Sequence, residues 1–213
     1  MEPLSAEAVR VLGVLIEKEL STPDYYPLTL NSLTNGCNQK SNRDPVVSYE
    51  ESEVLDALDE LTRRRLVGRA SVAGSRAIKY RHAIAEQMQL DQKQRAALAT
   101  LLLRGPQTIG EVRSHTGRMA EFADLDDTAD TLRSLRDMDP PMVVQLPVQP
   151  GKKEARIAHL MAGDIDVDAL EAESAAAAVT AAPQSSIRQE LDELRERVDA
   201  LEEELRRFTS QFE

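Results

Sequence analysis

The stretch CNQKSNRDPV, Cys37 to Val46, has no hydrophobic period and lies between two helix-like segments. Asn38, Gln39, Lys40, Asn42 and Arg43 are residue types that hydrogen-bond base edges and phosphate oxygens. Further on, Arg63 to Arg81 holds seven cations (Arg63, Arg64, Arg65, Arg69, Arg76, Lys79, Arg81) and no Asp or Glu. Cations at that density supply sequence-independent affinity for a phosphate backbone. The loop also has a structural reading. Its Asn and Ser side chains can cap helix ends and satisfy backbone groups, with Asp44-Pro45 as a rigid turn.

Other chemistry is thinly supplied. Cys37 is the single cysteine, so no internal disulfide forms, a reducing cytoplasm fits, and the thiol is expected to pack as a small apolar group. His82, His115 and His159 lack metal-ligand spacing, and Glu111 with His115 is a lone pair on one helix face. There is no phosphate-loop or dinucleotide fingerprint. Neither an enzyme activity, a cofactor nor a metal is expected. Trp is absent and aromatics are 3%, so stacking platforms for single strands are few.

The net charge of -11 is unevenly spread: -2 over residues 1–90, 0 over 91–163 and -9 over 164–213. The acidity is mostly that of the C-terminal segment. The N-terminal stretch has no basic n-region and no long apolar run, so neither a signal peptide nor a membrane span is expected, and the protein reads as cytoplasmic.

A repeat positions these residues. At an offset of 86, Leu4 matches Leu90, Leu12 matches Leu98, Leu15 matches Leu101, and Ile16 matches Leu102. Each copy opens on Leu and an N-cap residue, Ser5 or Asp91, followed by an apolar helical stripe. Leu4 and Val9 take the staple positions. The first copy continues through LTLNSLTNGC, a short helix, and SYEESEVLDALDELTRRR, where Ser48 and Glu51 suit a capping box and Val54, Leu55, Leu58 and Leu61 form an apolar face. Then come strands LVGRASV and AIKYRH around AGSR. The second copy runs TIGEVRSHTG, DLDDTADTLRSLRDM, MVVQLPV, a QPGKKEA turn (with Lys152, Lys153 and Arg156 a smaller basic spot) and RIAHL. Gly105-Pro106 ends a helix and turns the chain.

Three helices and a hairpin, twice over, predict a mainly α chain with small β-hairpins, an α+β fold of two tandem winged-helix domains. The expected divisions are winged-helix domains at 1–84 and 85–163, an acidic, Ala-rich linker at 164–186, and a coiled-coil helix at 187–213. In the last, Ile187, Leu191, Leu194, Val198, Leu201, Leu205, Phe208 and Phe212 alternate spacings of 4 and 3. Glu190 with Arg195 and Arg197 with Glu202 suit a parallel pair. A single helix folding back on the domains is the alternative.

Four strings in order, CNQKSNRDPV, SRAIKYRH, LRGPQT and PGKKEARIAHL, resemble the YceH-like bacterial proteins over roughly residues 4–163. The resemblance implies tandem winged helices and carries no established activity. The leading expectation is therefore binding of double-stranded DNA, in regulation or chromosome organisation. Lys40, Arg43, Arg63, Arg69, Arg76 and Lys79 would then share one basic face. The third helix of each copy is acidic (Glu50, Glu51, Glu53, Asp56; Asp124, Asp126, Asp127, Asp130), so loop and wing would have to dominate over the helix that ordinarily enters the major groove. The alternative is a protein-interaction scaffold without DNA contact, with self-association or a partner helix through the tail.

Overall fold

The structure, a computed structural model, describes residues 2–70, 77–149 and 151–167. Arg76 and the heptad segment 187–213 lie outside the described residues, as does most of the acidic, Ala-rich stretch. The fold is mixed α+β. About half of the described chain is helical, with small antiparallel sheets.

In the first copy α1 spans Ala6–Ser21, and Ser5 Oγ accepts the Ala8 N–H at 3.1 Å. Leu4 and Val9 are both buried, as a staple requires. A 3-10 turn at Pro23–Tyr25 leads to β1 (Leu28–Thr29) and α2 (Leu30–Cys37). Helix α3 is Glu51–Arg63, and β2 (Val67–Ala70) pairs with β3 (Lys79–His82). The short strand β1 adds to the other edge of β3, giving the order β1-β3-β2.

Two local expectations are corrected. Helix α3 begins after Glu50, whose N–H donates to the Glu53 carboxylate at 2.7 Å, and Ser48 does not cap it. The reason is Asn38. Its amide donates to the Tyr49 carbonyl at 2.8 Å and accepts the Tyr49 N–H at 2.7 Å, mimicking a strand partner and holding the chain out of the helix. The buried stripe of α3 is Val54, Ala57, Leu58 and Leu61, while Leu55 points outward at 39% exposure. At 3.6 residues per turn, position 55 lies one step of about 100° off that stripe.

A short α4 (Ile84–Met88) leads into the second copy. Helix α5 (Gln92–Arg104) is capped by Asp91, which accepts the Gln94 N–H at 2.8 Å, and ends at Gly105, where φ is 71°. Helix α6 is Ile109–Thr116, α7 is Leu125–Arg136, and β4 (Val143–Gln145) pairs with β5 (Ile157–His159). The four repeat-matched pairs are all buried, from Leu4 and Leu90 to Ile16 and Leu102.

Residues 1–146 and 154–166 form one compact unit in which α1 packs along α5, so both copies share one core. Gly13 permits the approach. A Cβ there would lie 3.0 Å from Leu103 Cγ and 3.1 Å from Leu102 Cβ. Residues 147–149 and 151–153 fall outside that unit and include a turn at Gly151, with φ 77°. No helix among the described residues is long and apolar enough to cross a membrane.

Candidate nucleic-acid interface

The loop after α2 is first an internal clasp. Arg43 is buried, and its guanidinium grips both Glu17 oxygens at 3.1 and 2.6 Å. The same group donates to the Gly36 carbonyl at 3.1 and 2.9 Å, to the Asn42 carbonyl at 2.8 Å and to Gln39 Oε1 at 3.1 Å. Arg10, also buried, donates to the Pro45 carbonyl at 2.6 Å. On the far side the loop meets the second copy. The Asp44 N–H donates to the Leu103 carbonyl at 2.9 Å, and Arg104 Nη1 to Asn42 Oδ1 at 2.8 Å. Cys37 is buried beneath, its thiol pushed up to about 12 by burial.

The structure therefore breaks up the expected single basic face. Arg43 and Asn38 are occupied inside the fold. Arg64 donates to the carbonyls of Glu2 and of Pro3 (the latter at 2.7 Å) and pairs with Glu60 at 3.2 Å, pinning the N-terminal segment. Arg63 Nε donates to the Asp59 carbonyl at 3.3 Å. Arg81 pairs with Glu86 at 2.9 Å. Register separates the hairpin cations. Arg69 is paired with Tyr80 and Ala70 with Lys79, so Arg69 leaves one face of the sheet and Lys79 the other. Arg65, at φ 60°, and Arg69 are exposed and make no ion pair among the described residues.

What the fold does bring together is a furrow in two adjoining parts. The first, about 510 Å³, runs between the end of α1, the loop and the end of α6. Lys18, Gln39, Lys40, Asn42, His115 and Arg118 line it. The second, about 450 Å³, shares Lys18, Thr22 and Gln39 with the first and continues past Thr29 to Lys79 and Tyr25. Thr29 and Lys79 are cross-strand partners on one sheet face, which is why both reach it.

The balance of charge along the furrow is positive. Lys18, Lys40, Lys79 and Arg118 line it, against Glu17 and Asp24. Glu17 is already met by Arg43, so the hidden arginine frees much of the Lys18 charge, although Lys18 Nζ also lies 3.3 Å from Glu17. Lys40 and Arg118 are exposed and have no hydrogen-bond or ion-pair partner among the described residues. His115 shares a 2.6 Å hydrogen bond between Nδ1 and Gln107 Oε1. Burial, and then the nearby Arg104, hold its pKa below the usual imidazole value. Glu111 does not pair with it; its carboxylate accepts the Thr108 N–H at 2.9 Å.

Lys18 and Arg118 were not singled out from the sequence. The signal for Lys18 was present: at the offset of 86 it matches Arg104, and each sends a cation from the end of its helix to the same loop, Lys18 to Gln39 at 3.4 Å and Arg104 to Asn42. Arg118 carries no comparable signal, because a furrow formed between copies has no pattern within either.

Residues 4–152 match the family model described as "Protein of unknown function, DUF480". The chain belongs to this family. It is 51% identical over 197 residues to a UPF0502 protein of Geobacter sulfurreducens, covering 92% of this chain and 86% of that one. A UPF0502 protein of Vibrio parahaemolyticus is 45% identical over 217 residues, covering 97% and 98% respectively. Another, of Shewanella halifaxensis, is 43% identical over 213 residues, covering 98% and 96%.

Proposed function

We propose that the two copies are tandem winged helices and that the chain binds nucleic acid along the furrow, in a regulatory or chromosome-associated role. The observation that carries this reading is the pair Lys40 and Arg118. They come from different copies, line one cleft and have no partner among the described residues. Unpaired cations gathered in a polar furrow meet the requirement of a phosphate backbone. The test is fluorescence anisotropy of labelled DNA with wild type and with Lys40→Glu/Arg118→Glu. Reversing both charges abolishes binding on this reading, and unchanged affinity would reject it.

One observation favours a protein partner instead. The outward faces of α3 and α7 are acidic, with Asp56, Asp59, Asp126 and Asp130 exposed, and each carries an exposed leucine, Leu55 or Leu125. Such faces repel phosphates and suit a basic protein surface. If wild type itself shows no affinity for DNA, the scaffold reading takes over.

A further inference from the structure

We infer that the furrow takes a single strand in preference to a duplex, with Tyr25 as its base-stacking platform; this rests on the nucleic-acid reading above. Shape is the first ground. A duplex is met by a convex element entering a groove, ordinarily the third helix of such a module. Here the convex candidates α3 and α7 present carboxylates, while Lys40 and Arg118, without a partner among the described residues, lie along a concavity. Cavities of about 510 and 450 Å³ fall in the range that encloses drug-sized molecules, about one nucleotide each. A single strand bends into such a furrow and lets Lys18, Lys40, Lys79 and Arg118 track its phosphates.

Tyr25 is the second ground. It is 77% exposed, the most exposed large apolar side chain among the described residues, and it lies at the furrow. The other described aromatics, Tyr26, Tyr49, Tyr80 and Phe122, are buried or half-buried. Its backbone is fixed by the 3-10 turn, with the Tyr25 N–H on the Thr22 carbonyl at 3.1 Å and the Tyr26 N–H on the Pro23 carbonyl at 3.0 Å. The neighbouring Tyr26 hydroxyl accepts the His82 N–H at 2.7 Å, which anchors the turn to β3. The exposed ring is thus carried on a rigid mount. In a duplex both faces of each base are already stacked. An unpaired strand offers a free face, and every base has one, so the contact tolerates any sequence. Gln39, Asn35 and Ser32 along the same part of the furrow supply donors and acceptors for base edges that only an unpaired strand exposes. The scarcity of aromatics in the chain fits a single platform rather than a run of them.

The test measures anisotropy with a labelled single strand of about a dozen nucleotides, a length within the usual site sizes, and with the same sequence as a duplex. The proteins are wild type, Tyr25→Ala, Tyr25→Phe and Lys40→Glu/Arg118→Glu. The expected result is at least about tenfold preference for the single strand. Tyr25→Ala should lose about five- to a hundredfold on the single strand, the range of one stacked base, and nothing on the duplex, with Tyr25→Phe close to wild type. Equal or tighter duplex binding, or an unaffected Tyr25→Ala, overturns the inference. If the charge reversal still abolishes binding in that case, the furrow reading stands and only the single-strand claim falls. If the charge reversal has no effect, the furrow reading falls with it.

Discussion

Arg43 and Glu17 form a two-pronged ion pair inside the fold, at 3.1 and 2.6 Å, with side chains 0% and 10% exposed. One end belongs to the polar loop and the other to α1. The loop that looked like a contact surface is thus held from within, and the residues left outward, Lys40 and Asn42, are presented on a fixed frame. Removing one partner of a buried pair strands the other charge, at a cost of about 3–5 kcal/mol. Arg43→Ala should therefore melt far below wild type in a denaturant titration. A change under about 1 kcal/mol would mean the pair is open to water.

Gly13 and Gly110 give opposite signs for the same substitution. At Gly13 the added methyl meets Leu103 and Leu102 at 3.0–3.1 Å, so overpacking, about 1–3 kcal/mol, outweighs a helix-propensity gain of about 1 kcal/mol. At Gly110, early in α6, an added Cβ comes no nearer to another side chain among the described residues than 4.0 Å, from Thr108 Oγ1, so the gain stands alone. Thermal melts should show Gly13→Ala destabilised and Gly110→Ala unchanged or slightly stabilised.

His159 makes stability depend on pH. Burial pushes its pKa down to about 4 from 6.5, and its Nδ1 is buried with no hydrogen-bond partner among the described residues. Between those values the unfolded chain binds the proton and the folded chain does not. Stability is then full above about 6.5 and falls as pH drops towards about 4, by up to about 3 kcal/mol. Replacing His159 by Gln should flatten the slope of stability against pH in that window by up to one proton. An identical slope in the variant would remove His159 as the cause.

The heptad pattern of 187–212 lies outside the described residues, and we propose from the sequence that it pairs two chains in parallel. Leu194→Asp with Leu201→Asp would place carboxylates in the seam, at a cost of several kcal/mol. Light scattering across a concentration range should show a dimer for wild type and a monomer for the variant. A wild type that stays monomeric at high micromolar concentration would leave a docking helix.

Much of the fold was legible because it is written in local pattern. The caps at Ser5 and Asp91, the stop at Gly105 and the matched leucines of α1 and α5 all follow from period and capping chemistry. The site was less legible, because what decides it is non-local. Nothing in the string CNQKSNRDPV says that Arg43 turns inward to Glu17, 26 residues earlier, while Lys40 stays out. Arg69 and Lys79 look alike in sequence and part company through strand register. The start of α3 moved because a side chain eleven residues away occupies the backbone of Tyr49.

The central claim, that phosphates lie along the furrow and not on the basic run Arg63 to Arg81 as a whole, is tested most directly by salt dependence. Affinity for DNA is measured across a salt series for wild type, for Lys40→Ala/Lys79→Ala/Arg118→Ala, and for Arg63→Ala/Arg65→Ala/Arg69→Ala. Each lost phosphate contact flattens the log–log slope by about 0.7–0.9. The furrow variant should lose about two to three units of slope, and the other triple variant should keep the wild-type slope. A furrow variant with an unchanged slope, or a loss confined to the Arg63, Arg65 and Arg69 variant, would contradict the account.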